Sequence, residues 1–181
     1  ATTLVGIRAA RGAGLAVRID TVAMAGENDT EFDDLLAWCG EIGADLCLIE
    51  TMPMGETGDS RIARYLPLSD VRADLARRWT LEDSPHRTGG PARYVRVAET
   101  GQRLGFITPL SHNFCSTCNR VRLSCTGRLY TCLGQEDGAD LRGLMRAGAD
   151  DAALAGMLDP ATCRKAARPD FKLRRASCRA R

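Results

Sequence analysis

The segment from Phe114 to Leu133, FCSTCNRVRLSCTGRLYTCL, constrains this chain more than any other. It holds four of the eight cysteines, Cys115, Cys118, Cys125 and Cys132, interleaved with Arg120, Arg122 and Arg128. Thiolates are soft donors suited to iron–sulfur clusters or zinc. Guanidinium groups are planar forks for phosphate. Cys115-x2-Cys118 is a chelate spacing, because two thiolates on one turn can share a site. Residues 121–125 read as a strand, Gly127 as a turn and residues 129–133 as the returning strand.

A hairpin turning at Thr126-Gly127 returns residue 132 opposite residue 121 for a two-residue turn, or opposite 122 for a three-residue turn. Either brings Cys132 back towards Cys118. Cys125 is left at the tip, roughly 10–13 Å away along the strand. Arg120 and Arg122 share one strand face, and only pairing with 122 puts Cys132 on it; the spacing admits both registers. Three thiolates, Cys115, Cys118 and Cys132, leave one iron of a cubane cluster open to substrate. The alternative is a closed zinc site on Cys115, Cys118, Cys125 and Cys132, although its Cys-x6-Cys pair is wide for a zinc knuckle.

The rest of the chain reads as α/β. Residues 1–13 suit a helix that Gly12 and Gly14 stop. Residues 16–24 alternate as a strand, residues 31–42 form a helix capped by Thr30 or Asp29, and residues 45–51 form a second strand. Strand–helix–strand with short links is a βαβ unit with parallel strands. Ligands in such sheets sit at the C-terminal strand ends, here Met24–Asn28 and Glu50–Gly55. Residues 53–68 lack periodicity and read as an excursion. Ser69 is expected to cap a helix over 70–79 that faces Val71, Leu75 and Trp79 inward, and 82–91 reads as a loop. Strands 92–98 and 103–109 form an antiparallel hairpin. This change of kind places a soft boundary near residue 60.

Composition narrows the function. An apolar content of 44% over 181 residues supports a real core. A net charge of +2 argues against a nucleic-acid or membrane-surface binder. The charge is uneven, with eight Lys and Arg and only Asp170 in residues 164–181; without interleaved aromatics that tail reads as solvated. No secretory signal or membrane-spanning run is present, and clustered cysteines then point to a reducing, cytoplasmic setting. His112, three residues before the cysteine pair, reads as a loop surface residue rather than a ligand, and Cys39 and Cys47 as small buried apolar groups. Cys163 and Cys178 read as thiols in a loose tail. Glu50 reads as a strand-end acceptor, and Asp137 and Asp140 as favouring a helix at 140–147.

The run from Gly105 to Asp140, GFITPLSHNFCSTCNRVRLSCTGRLYTCLGQEDGAD, resembles the C-terminal cluster region of the GTP 3′,8-cyclase family. These are radical S-adenosylmethionine enzymes that open molybdenum-cofactor biosynthesis. VRIDTVAMAGENDTE and LCLIETMPMG resemble the same family in the same order, and the likeness covers about residues 1–150. It implies the C-terminal part of a partial (βα) barrel over 1–60 and an α+β iron–sulfur domain with antiparallel hairpins over 61–150. A helix and basic tail over 151–181 would follow. It implies a 4Fe–4S cluster on Cys115, Cys118 and Cys132, with the Cys125 position variable. GTP would meet Arg18, Arg120, Val121 and Arg122, with S-adenosylmethionine beside Met52. The implied chemistry is hydrogen abstraction from the ribose C3′ by a 5′-deoxyadenosyl radical and attack of that carbon on guanine C8. The chain's side chains would orient rather than act as acids or bases, so none is assigned a catalytic role.

Three departures follow. No Cys-x3-Cys-x2-Cys motif for the family's first cluster occurs in the sequence, Cys47 stands where the family usually has an arginine, and no glycine follows Gly156 where the family commonly ends in Gly-Gly. The expectation is a truncated copy or one part of a split protein, unable to complete catalysis alone. Exposed sheet edges would then invite a complementing N-terminal fragment or a homodimer. The other class is a non-catalytic zinc or iron–sulfur module that binds nucleotide.

Overall fold

Two glycines at positive φ, Gly14 (78°) and Gly43 (65°), end two helices and release the chain into neighbouring parallel strands. The computed structural model describes residues 2–52, 62–112, 114–118, 120–132 and 138–163, with side chains to 158. The chain divides into two compact units, residues 1–112 and 113–181. Met54, Gly55, Asp137, Cys178 and the basic tail lie outside the described residues, as does most of the expected excursion.

In the first unit, α1 (Thr2–Gly12) leads to β1 (Arg18–Ala23), α2 (Phe32–Glu41) and β2 (Asp45–Glu50). Beyond α2, Gly43 N–H donates to Gly40 O (3.1 Å) and Ala44 N–H to Cys39 O (2.8 Å), the paired bonds of a Schellman ending. β1 and β2 are parallel, from Arg18 opposite Asp45 to Ala23 opposite Glu50, as the βαβ reading expects. Capping differs from expectation. The α2 N-cap is Glu31, without a side-chain bond, while Asp29 accepts from Gly26 N–H in the preceding loop (3.0 Å).

The chain continues through α3 (Leu68–Leu75), β3 (Leu81–Asp83), β4 (Arg93–Val97) and β5 (Arg103–Ile107). Pro67, not Ser69, is the N-cap of α3; Ser69 lies one residue inside the helix and bonds Asp70 instead. β3 falls at the start of the expected 82–91 loop, where three residues pair with β4. The strand order is β1-β2-β5-β4-β3, giving an open mixed sheet. β5 is antiparallel to β4, as the hairpin signal expects, but also parallel to β2, with Leu46 opposite Leu104 and Ile49 opposite Ile107. The sheet therefore runs across the boundary expected near residue 60. Local alternation reveals a hairpin but not which distant strand it joins.

One face of this sheet packs on α2 and α3. Its core comprises Ala23, Leu46, Leu48, Val95, Val97, Leu104 and Phe106 from the strands, Phe32, Leu36 and Cys39 from α2, and Leu68, Val71 and Leu75 from α3. The opposite face carries a smaller cluster of Cys47, Ala92 and Tyr94 with Ile107 against it. A Cβ on Gly105 would lie 2.8 Å from Tyr94 Cε1 and 3.1 Å from Cys47 Sγ, so only glycine admits the tyrosine ring there. At the end of β2, Glu50 is 1% exposed. Its Oε2 accepts from Leu110 N–H (3.0 Å) and Ser111 N–H (3.1 Å). Its Oε1 accepts from the Ser111 and Tyr65 hydroxyls and from Leu68 N–H.

The second unit holds a three-stranded antiparallel sheet, β6 (Arg122–Leu123), β7 (Arg128–Tyr130) and β8 (Gly138–Asp140), followed by α4 (Leu141–Arg146) and α5 (Asp151–Cys163). Asp140 caps α4 by accepting from Gly143 N–H (3.0 Å), a directed bond where a through-space effect is expected from sequence. Cys163 ends α5 rather than lying in a loose tail.

Two substitutions test this framework by urea unfolding. Glu50→Gln replaces an acceptor-only group with one that turns a donor towards other donors, and should cost about 2–3 kcal/mol; a loss near zero would remove Glu50 from the framework. Gly105→Ala should cost about 1–3 kcal/mol through displacement of the Tyr94 ring, and an unchanged midpoint would contradict the close approach.

Candidate functional site

The cysteine segment opens with a 3-10 turn over Cys115–Thr117, where Cys118 N–H donates to Cys115 O (3.2 Å). The two cysteines of the chelate spacing thus share one turn, and both are half-buried. The hairpin that follows is closed by Ser124 N–H to Arg128 O (2.9 Å) and Gly127 N–H to Ser124 O (3.0 Å), leaving the three-residue loop Cys125-Thr126-Gly127. Gly127 takes the left-handed position of that loop (φ 77°). Its carbonyl accepts from Leu141 and Arg142 N–H (3.0 and 3.1 Å), which satisfies donors at the start of α4.

The register pairs Arg122 with Tyr130 and Leu123 with Leu129. Continued outward, it sets Cys132 level with Arg120, neither with 121 nor with 122 as expected from sequence. The loop is centred on Thr126 rather than between Thr126 and Gly127, because Ser124 and Arg128 close it. Strand parity, if continued beyond the ends of β6 and β7, would put Cys132 on the face of Arg120 and Arg122. Cys132 is half-buried, whereas Cys125 is exposed at the tip. Arg120, Val121 and Arg122 are all exposed. The donor chemistry and the shared turn suit a thiolate-held cluster. Among the described residues, however, no three His, Cys, Asp or Glu side chains are gathered as a ready metal site.

The first unit presents the other sequence-predicted residues. Arg18 opens β1 on the sheet face opposite the helices. Its Nε and Nη2 donate to Asp20 Oδ1 and Oδ2 (2.7 and 3.0 Å), and its Nη1 donates to the Tyr94 hydroxyl (3.0 Å). The Asp20 carboxylate, ahead of the opposing effect of burial, raises its pKa. Beside it, burial pushes the Cys47 thiol up to about 11, so it packs as a neutral group. Cys39 behaves alike, pushed up to about 11 by burial. Met52 is half-buried just beyond β2, towards the opposite end of the strand pair from Arg18. Neighbouring Thr51 is buried and donates its hydroxyl to Ala23 O (2.8 Å).

Of the expected C-terminal strand-end loops, the described part is held by its own side chains. Asn28 accepts from Met24 N–H and donates to Val22 O, both at 2.9 Å. His86 is not a plain loop residue, because its ring meets Tyr94 edge-on at 4.9 Å and lies beside the Arg103 guanidinium (3.3 Å). The sequence reading missed Tyr94. Its strand is 93–97, so alternation with core residues Val95 and Val97 already assigns it to the other face, but nothing local marks Arg18 as its partner.

A model of the Molybdenum Cofactor Synthesis C family matches residues 44–171. Among curated proteins, the chain is 58% identical over 171 residues to a GTP 3′,8-cyclase of Rhizobium meliloti, covering 94% of the chain and 49% of that relative. It is 56% identical over 168 residues to those of Rhodopseudomonas palustris and Brucella canis, in each case covering 93% of the chain and 49% of the relative. The chain therefore spans about half the length of the curated relatives it matches. On this likeness the chain belongs to the Molybdenum Cofactor Synthesis C family, among relatives that are GTP 3′,8-cyclases.

Proposed function

We propose that this chain is the GTP-binding, C-terminal half of a GTP 3′,8-cyclase in molybdenum-cofactor biosynthesis. Its first unit would form part of a partial (βα) barrel, and its second would carry a 4Fe–4S cluster. The observation that supports this best is the pair Cys115 and Cys118 on one turn, followed by a half-buried Cys132 just past the returning strand of the hairpin. These three thiols would hold the cluster. Exposed Cys125 would stay outside it, and assembly would draw Cys132 in towards the turn. When bound, the cluster supplies an iron with an open position for the purine.

The remaining work falls to the chain's own side chains. Arg120 and Arg122 would bind and orient GTP, Val121 between them would exclude water, and Arg18 would meet the nucleotide from the sheet. Met52 would border S-adenosylmethionine. Holding two reacting carbons in register is an orientation task, and positioning of this kind can supply a large part of a barrier reduction. The partner would be the N-terminal half of the cyclase. It would lie along β1, an edge strand that exposes Val22, and along α1, which exposes Leu4 and Val5.

Anaerobic reconstitution with iron and sulfide tests the cluster. Reduced protein should give a cubane EPR signal that changes on adding GTP. Cys132→Ala should abolish it and Cys125→Ala should not. Uptake of one zinc with no cluster signal would instead describe a zinc module. For the partner, mixing the reconstituted chain with a separately produced N-terminal half of a matched cyclase should restore GTP cyclisation; absence of both product and complex would contradict the complementing role.

A further inference from the structure

Arg18 has five N–H donors, and three are committed. Nε–H and one Nη2 hydrogen go to Asp20, and one Nη1 hydrogen goes to Tyr94. Two are left, one on each terminal nitrogen. Each can donate to an oxygen of a phosphate group. Asp20 sits on the Nε side of the plane and Tyr94 holds the other terminal nitrogen, so the two partners fix the group against rotation. We propose that Tyr94 is a positioning residue that holds the Arg18 fork ready for a phosphate group of the nucleotide. This rests on the reading of Arg18 as a GTP contact.

The path by which Tyr94 reaches Arg18 is specific. Tyr94 is on β4 and Arg18 on β1, with β5 and β2 between them. The row across the sheet is Tyr94, Gly105, Cys47 and Asp20, each in register with the next. Gly105 has no side chain and Cys47 a short one, so the ring lies over them, and a Cβ at 105 would meet it at 2.8 Å. His86 meets the ring edge-on at 4.9 Å. Tyr94 is only 4% exposed, so its hydroxyl needs a partner within the protein. Arg18 is that partner, while its own side chain is 38% exposed. A buried, fixed acceptor thus holds an accessible cation.

The test is a double-mutant cycle on the 181-residue chain, read as equilibrium binding of GTP and of inorganic tripolyphosphate. Tyr94→Phe keeps the ring and removes only the hydroxyl. It should weaken GTP roughly three- to tenfold, as loss of one hydrogen bond does, and weaken tripolyphosphate by the same factor. In an Arg18→Ala background, Tyr94→Phe should add nothing. An undiminished penalty in that background, or a loss confined to GTP, overturns the positioning role. So does binding that is indifferent to Arg18→Ala. A wild-type chain that binds neither GTP nor tripolyphosphate overturns the GTP-site reading itself.

Discussion

The first unit depends on one carboxylate. Glu50 ends the strand β2, which pairs with both β1 and β5. Five donors from two segments converge on its two oxygens. Tyr65 and Leu68 belong to the entry into α3, and Leu110 and Ser111 to the turn after β5. Leu68 N–H is one of the donors that a helix start leaves without an intrahelical partner, so Glu50 caps α3 from across the fold. A carboxylate is acceptor-only with about four lone-pair sites, and no uncharged side chain of similar size offers as many. Removing it would strand several buried donors at once, which explains why an acidic residue ends a strand of otherwise apolar burial.

From that anchor the two sheet faces diverge. The helix-covered face is apolar, and its burial stabilises the unit. The other face sets arginine beside acid. Arg18 pairs with Asp20, Arg103 with Asp45 and Arg96 with Glu82. Pairs this exposed contribute at most about 1 kcal/mol each, so stability does not account for them. They set an acid against each of these guanidinium groups, so this face is not a bare cationic one.

Much of this was legible in the residues because the signals were local. The βαβ unit followed from alternation at 16–24, the apolar run in 45–51 and an amphipathic stretch between them. The hairpin at 92–109 followed from alternation about Gly101, and the chelate turn from the two-residue spacing of Cys115 and Cys118. What escaped was non-local or finely balanced. The β2–β5 pairing joins strands more than fifty residues apart, and no window on the sequence contains both. β3 has three residues and exists only because β4 is beside it. The cysteine hairpin missed its expected register because Gly127 takes the last loop position, not the second of two. Ser69 is a good N-cap by type, but Pro67, with its fixed φ and no N–H, starts the helix two residues earlier.

The first helix carries a different kind of information. α1 has eleven residues and buries none of them, and Leu4 and Val5 are 45% and 63% exposed. An isolated helix of that length is marginal in water, because nucleation costs more than a few turns return. Packing is what usually supports such a helix, yet its described apolar residues face no core. The Arg11 guanidinium does bond Ile42 O (2.9 Å), which holds the helix end near the start of β2 and leaves Leu4 and Val5 exposed. Next to it, β1 is a parallel edge strand, and parallel strands are normally covered on both faces. Among the described residues, α1 therefore has no apolar surface over Leu4 and Val5, and β1 has no strand on its outer edge. The half of the cyclase relatives that this chain does not span is long enough to supply both.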